Sequence, residues 1–443
     1  MSTLNVDKVD PSSGTALEIG SSGDTVTVPT GAGLTVTDEV KTNKISPATG
    51  TAFAMGDSGD TFTVPSGATI VNSGTATGFG ITQTDFRPNA LPIIINGSTS
   101  VAQRATSATG ITTASYNTCD RWRVGMTTMG TWTQTQETLT SGDAFEDGFE
   151  KSFKMDCTTA DASPAAGDEV VTQHRIEGNA LQSFKKGTPN AKKFTVAFWI
   201  KATKTGTYIL ELFDTDNDRH CCTAYTVSSG DTWEYKIVNF PADTSGSIDN
   251  DNAYSIAVQF WMGAGTNFTS GTLATVWAAN VAANKAVGQV NCADSTSNNF
   301  EVTGLQLEVG EFTSADLPPF QFESFGDSIK RCERYFQQNP SASGPAYAIV
   351  ALGFSYGTTN VYITWNLRTT MRATPSFATT SNWSIFYAST AQTYTPSFAS
   401  DHSGPDSITV EDSSLGSTVG AGQPMLLRQN ADASARLKMD AEL

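Results

Sequence analysis

Short runs in which apolar and polar residues alternate recur along almost the whole chain. Thr25-Val26-Thr27-Val28 and Thr61-Phe62-Thr63-Val64 are two of them. A period of two places the apolar side chains on one face of a strand and the threonines on the other. Pro29 and Pro65 end these runs and glycines follow, so each run is a short strand closed by a turn. The two runs belong to a longer repeat, because Lys8–Ala32 recurs without a gap 36 positions later as Lys44–Ala68. Each copy has too few large apolar residues to close a core alone, and stacked repeats usually need about three or more units. The missing burial must come from other copies of the chain or from a partner.

Residues 1–72 are therefore expected to form a stalk and an attachment segment of small β-units. The Gly/Ser-rich stretch 73–84 reads as a linker. Residues 85–322 read as one large β domain with frequent turns: Phe194–Ile200, Gly206–Phe213, Trp233–Phe240, Tyr254–Met262 and Phe300–Val309 are strand-like. In Phe194–Ile200 only Thr195 interrupts the apolar run, which predicts burial on both faces. Trp199, Trp233 and Trp261 lie on such runs and read as sandwich core. One helix is expected within a connector at 323–340. Ser324 and Asp327 make a Ser-x-x-Asp cap, and Ile329, Cys332, Tyr335 and Phe336 follow at helical spacing over about three turns. Residues 341–443 return to strand patterning, with Val361–Leu367 and Trp383–Tyr387 as examples. The fold class is all-β: a jelly-roll β-sandwich with one short helix and a smaller C-terminal β-sandwich.

Composition narrows the function classes. Only 16% of residues are charged, which suits strands better than solvated helices. The net charge of −17 repels phosphate backbones and anionic membrane surfaces, so neither nucleic acid nor membrane insertion is expected. No apolar run approaches the ~18 residues of a membrane span, and the N-terminus lacks a secretory pattern. Synthesis in a cytoplasm is the expectation. The six cysteines show no Cys-x-x-Cys pair, and Cys221 and Cys222 must point to opposite faces of a strand. All six read as free thiols. A zinc site would need clustered Cys and His, and the three histidines, His174, His220 and His402, are isolated from one another in sequence.

Few motifs carry chemistry. Asp214, Asp216 and Asp218 alternate as at the start of a calcium loop, but Arg219 and Tyr225 stand where that loop needs glycine and an acid. They are weak metal candidates beside a plain hairpin turn. No nucleophile elbow, zincin pair or phosphate loop is present, no cofactor is implied, and the chain is read as a non-enzyme. Aromatic residues suit the apolar faces of sugars; Trp122, Trp365, Trp383 and His402 are the glycan-binding candidates, with core burial as the competing role.

Several segments in order resemble tail-fibre proteins of tailed bacteriophages. Leu91–Arg104 with Asp120-Arg121-Trp122 resembles the opening of a fibre domain, and Phe194–Ala202 with Lys204–Tyr208 resembles its central strands. Gly304–Gly310 is similar to its closing strand. Cys332-Glu333-Arg334-Tyr335-Phe336 is similar to the Cys-x-Arg-Tyr-Tyr-like stretch that follows. Thr370–Pro375 and Asp440–Leu443 match the C-terminal domain, and the repeats are similar to those of marine phages, including cyanophages. The resemblance implies a homotrimeric fibre in the virion, joined to tail or adaptor proteins by its N-terminus. It implies host recognition and adsorption through a surface polysaccharide or lipopolysaccharide, with residues 341–443 as tip and the recognition end on the side of Leu443. A connector or capsid-decorating fibre without receptor contact, and a glycan-degrading fibre, are the alternatives.

Overall fold

The computed structural model of the chain describes Val9 and residues 91–443, apart from 342–343, 381, 413–414 and 416–418. The expected stalk (Val9 aside) and linker lie outside the described residues. Eleven strands form one antiparallel sheet: β1 (Ser107–Tyr116), β2 (Trp122–Thr138), β3 (Lys151–Thr159), β4 (Glu169–Glu177), β5 (Phe194–Ala202), β6 (Gly206–Asp214), β7 (Arg219–Val227), β8 (Glu234–Phe240), β9 (Tyr254–Ala264), β10 (Ala278–Ala279) and β11 (Asn299–Val309). Their order is β10-β7-β6-β9-β4-β2-β3-β11-β5-β8, with β1 also paired to β2. The sheet curls within β2. Its first part, Trp122–Thr127, pairs with β4, and its second part, Thr131–Thr138, pairs with β3. Between them Thr128 and Gly130 take positive φ (48° and 72°), which turns the strand. A Cβ on Gly130 would stand 2.5 Å from the Thr159 carbonyl oxygen, so only glycine fits there.

The two halves enclose one core. Phe198 of β5 meets Phe260 of β9 edge-on at 4.9 Å and Tyr225 of β7 at 5.2 Å, across the sandwich. Trp122 stacks on Phe153 at 5.2 Å and is fully buried. Each such side chain contributes on the order of 2–3 kcal/mol of burial free energy. Phe194–Ile200 is buried along its whole length, as its apolar run predicts; the Thr195 hydroxyl lies 2.9 Å from the Gly310 carbonyl oxygen and accepts from the Phe312 amide. Trp199, Trp233 and Trp261 are buried too, but away from this central core. They sit in smaller clusters on the outer faces, where α1 (Asp143–Glu146) and α2 (Thr266–Thr269) and nearby loops cover the strands.

Among the described residues the one longer α-helix, α3 (Phe325–Cys332), begins at the expected cap: Ser324 Oγ accepts from the Asp327 amide at 3.2 Å. It is two turns long rather than three, because Phe336 opens strand β12 (Phe336–Asn339) instead. Beyond it lie β13 (Ile349–Ser355), β14 (Val361–Asn366), β15 (Ser376–Thr379), β16 (Trp383–Tyr387), β17 (Thr390–Tyr394), β18 (Ser397–Phe398), β19 (Ser407–Asp412), β20 (Pro424–Gln429) and β21 (Leu437–Asp440). They make a seven-stranded sheet, β17-β16-β20-β13-β14-β19-β18, and a three-stranded one, β12-β21-β15. Ile363, Ile385, Leu427, Leu437 and Trp383 fill their core. The last residues return to the large sandwich. Arg104 holds Asp440 at 2.8 Å and Glu442 at 3.3 Å, Arg121 also pairs with Glu442, and the Tyr116 hydroxyl donates to the Leu443 carbonyl at 3.0 Å. Leu443 is thus a junction residue.

Candidate functional site

Alternation along β6 sends Leu210 and Leu212 into the core and Glu211 to the opposite face. The same alternation on the neighbouring strands brings polar side chains to that face. Strand register aligns them in one row: Arg123 (β2), Gln173 (β4), Gln259 (β9), Glu211 (β6) and Cys222 (β7). From Arg123 to Glu211 each polar group hands a hydrogen bond to the next. Arg123 Nη1 donates to Gln173 Oε1 at 2.9 Å, Gln173 Nε2 donates to Gln259 Oε1, and Gln259 Nε2 donates to Glu211 Oε2 at 3.1 Å. Trp261 Nε1 reaches the same carboxylate oxygen at 2.9 Å, and His220 Nδ1 lies 3.2 Å from Oε1.

The row is deep at one end and open at the other. Glu211 is fully buried, and Gln173, Gln259 and Trp261 are nearly so. Arg123, Arg175, Tyr254, Phe213 and Lys285 are half-buried along the rim. Arg175 lies over the Tyr254 ring at 4.6 Å and donates through Nε to Gln173 Oε1 at 3.3 Å. Lys285 lies over Phe213 at 4.5 Å and 3.5 Å from Glu211 Oε1. Burial, and then the like charge of Arg175, hold the Arg123 guanidinium below its ordinary pKa. The half-buried guanidiniums of Arg123 and Arg175, fixed from behind by the buried amides, can grip hydroxyls and carboxylates while the Tyr254 ring covers an apolar ligand face.

The structure scatters the residues singled out from sequence. Trp122 and Trp383 are core residues, 0% and 1% exposed, whose indole N–H groups donate to the carbonyls of Asn96 and Thr380. Neither can meet a glycan. Trp365 is half-buried against the C-terminal core. His402 is exposed, edge-on to Tyr362 at 5.0 Å, and Tyr362 stacks on Tyr356 at 4.3 Å. Of the four candidates, His402 alone joins a surface aromatic cluster. The three aspartates part company. Asp214 is fully buried against Lys186 Nζ at 2.5 Å, Asp216 accepts from the Asp249 amide, and Asp218 accepts from Asn280. They do not converge on a common point: among the described residues, Glu211, His220 and Cys222 make the one group whose ligand atoms do. The Lys186 ammonium fills the place of a cation beside Asp214, with Asp243 at 2.9 Å and the Gly246 carbonyl at 2.9 Å as further partners.

No protein-family model and no curated protein matches the chain. Solved structures similar to it include the enzymatically active domain of tailspike protein 4 of bacteriophage CBA120, at 12% identity and TM-score 0.25, over 49% of this chain and 21% of that chain. The chain thus spans about a fifth of the tailspike structure. A family 11 carbohydrate-binding module from Clostridium thermocellum, in complex with a β-1,3-1,4-mixed-linked tetrasaccharide, matches at 14% identity and TM-score 0.22, over 51% of this chain and 100% of that one. The module TmCBM61, in complex with β-1,4-galactotriose, matches at 7% identity and TM-score 0.23, over 50% and 99%. None of these likenesses assigns a residue or an activity to this chain. Among the described residues no helix is long and apolar enough to cross a membrane.

Proposed function

We propose that this chain is a tail-fibre protein of a tailed bacteriophage that recognises a host-surface glycan and does not cleave it. The observation that carries the reading is the open end of the row on the outer face of the large sandwich, where half-buried Arg123, Arg175 and Tyr254 are held from behind by buried Gln173 and Gln259. Its donors and acceptors are already oriented by one another, so a sugar would bind at little ordering cost. The fibre role rests on the sequence resemblance and on the repeats, which require partners. Trimerisation and attachment through the N-terminal repeats belong to the same reading.

The test is binding of purified full-length protein to host polysaccharide, followed by product analysis. Binding without release of reducing ends is expected; release would favour the glycan-degrading alternative. Arg123→Ala should weaken binding at least tenfold with the unfolding midpoint unchanged, since the side chain is half-buried beside a like charge. Tyr362→Ala, in the other aromatic cluster, should leave affinity intact. The reverse pattern would move the site to the C-terminal sheet. Particles lacking the protein that adsorb normally would support the connector alternative instead.

A further inference from the structure

We propose that Glu211, His220 and Cys222 form a binding site for a zinc-class transition-metal ion. His220 and Cys222 are two residues apart on β7 and share its outer face. Glu211 stands directly opposite Cys222 on β6. Three donors of different chemistry therefore meet on one rigid strand pair. His220 Nδ1 is 3.2 Å from Glu211 Oε1 and 3.8 Å from Cys222 Sγ, and all three donor atoms lie within 4.8 Å of one another. A tetrahedral zinc with bonds of ~2.0–2.3 Å holds its ligand atoms roughly 3.3–3.7 Å apart, so the spacing needs only small adjustment.

The surroundings fit the same assignment. The second carboxylate oxygen, Oε2, is held by Trp261 Nε1 at 2.9 Å and Gln259 Nε2 at 3.1 Å, which leaves Oε1 facing the other two donors. Hydrogen bonds to the outer oxygen are what orient a ligating carboxylate. All three side chains are fully buried, where an unscreened carboxylate needs a cation. The cation now nearest is Lys285, 3.5 Å from Oε1, on a long side chain that reaches solvent. It marks the side from which an ion would enter and the fourth position it would leave open. Imidazole, carboxylate and thiolate together select a borderline ion such as Zn2+ over Ca2+ or Mg2+.

The experiment uses the full chain and Co2+ as a spectroscopic stand-in for zinc. After chelator treatment, Co2+ titration should give one ion per chain, with a thiolate charge-transfer band and tetrahedral d–d bands, and Zn2+ should bleach both. His220→Gln and Cys222→Ser should each abolish the thiolate band, while Cys221→Ser, on the opposite face of the same strand, should retain it. Lys285→Met should tighten Co2+ binding severalfold by removing the competing cation. X-ray absorption of the unaltered zinc-loaded protein should show one sulfur and mixed N/O ligands, and this reading holds even if a variant fails to fold. Absence of stoichiometric binding, a cobalt spectrum without thiolate character, or loss of the band in Cys221→Ser alone would each overturn the site.

Discussion

Lys186 shows how a single side chain can replace an ion. Its side chain is 0% exposed, and its ammonium meets Asp214, Asp243 and the Ser245 and Gly246 carbonyls beneath the Trp277 ring. Removing one partner of such a pair leaves buried charge uncompensated, so Lys186→Met should cost about 3–5 kcal/mol in denaturant unfolding. Added calcium should neither rescue the variant nor raise the wild-type midpoint; a calcium-dependent rise would return Asp214 to the metal candidates. His174 supplies a second prediction. Its Nε2–H donates to the Ile95 carbonyl at 2.8 Å, and burial, then the Arg121 charge, push its pKa down to about 3. A depressed pKa means stability that is present above the unfolded value near 6.5 and is lost as pH falls toward 3. Burial pushes Asp120 the other way, up to about 6, so its contribution is full below its unfolded value and is lost as pH rises through 6. The two partly offset in the wild type. The stability difference between wild type and His174→Gln isolates the histidine, and should shrink by about 2 kcal/mol from pH 7 to pH 5. An unchanged difference would mean that the imidazole is hydrated.

At the scale of elements, much was legible and the reason is period. The Thr195-interrupted run is buried on both faces, and the Ser324 cap starts the helix where its spacing says. The helix ends early because Tyr335 and Phe336 answer to distant partners: Arg121 lies over the Tyr335 ring at 3.5 Å, Arg104 over Phe336 at 3.7 Å, and β12 pairs with β21 at the far end of the chain. Local spacing cannot see a strand partner a hundred residues away. Part of the row had a visible signal, a lone polar residue amid apolar neighbours in β6 and β9 (Glu211 and Gln259), whereas Gln173 sits among Thr172, His174 and Arg175 in β4. Cross-strand register, which sequence does not give, is what joins them. The same holds for His220 and Cys222, whose spacing suits a strand face but whose third donor is on β6. The β12–β21 contact also makes the last residues a latch. Glu442 is 5% exposed between Arg104 and Arg121, and Arg104 keeps Asp440, so Glu442→Gln should leave the buried Arg121 guanidinium without a counter-ion and cost about 3 kcal/mol. Urea unfolding measures this, and a loss under 0.5 kcal/mol would show that the latch is solvated.

At the scale of the whole molecule, the sequence repeat leads to the expectation of burial between copies of the chain, and the C-terminal sheet carries an apolar surplus of its own. One face of its central strands packs on the core through Ala351, Ile363, Ile385 and Leu427. The other face is apolar as well: Leu352, Phe354 and Tyr356 are 65%, 53% and 44% exposed. Register extends the patch, with Leu352 opposite Leu426, Leu426 opposite Phe386, and Phe354 opposite Tyr362. A strand apolar on both faces is patterned for burial on both, and a contiguous apolar patch of this kind marks an association surface. The Arg428 guanidinium on the same face lies over the Tyr347 and Phe386 rings, at 5.1 and 4.3 Å. Three copies arranged about an axis would cover the patch. Leu352→Glu with Phe354→Glu should then convert a trimer to monomers in sedimentation velocity, because each glutamate would be desolvated against its symmetry mates. Both side chains point away from the core, so the monomers should keep the wild-type β-sheet circular dichroism. A double variant that sediments unchanged would clear this face of any part in assembly.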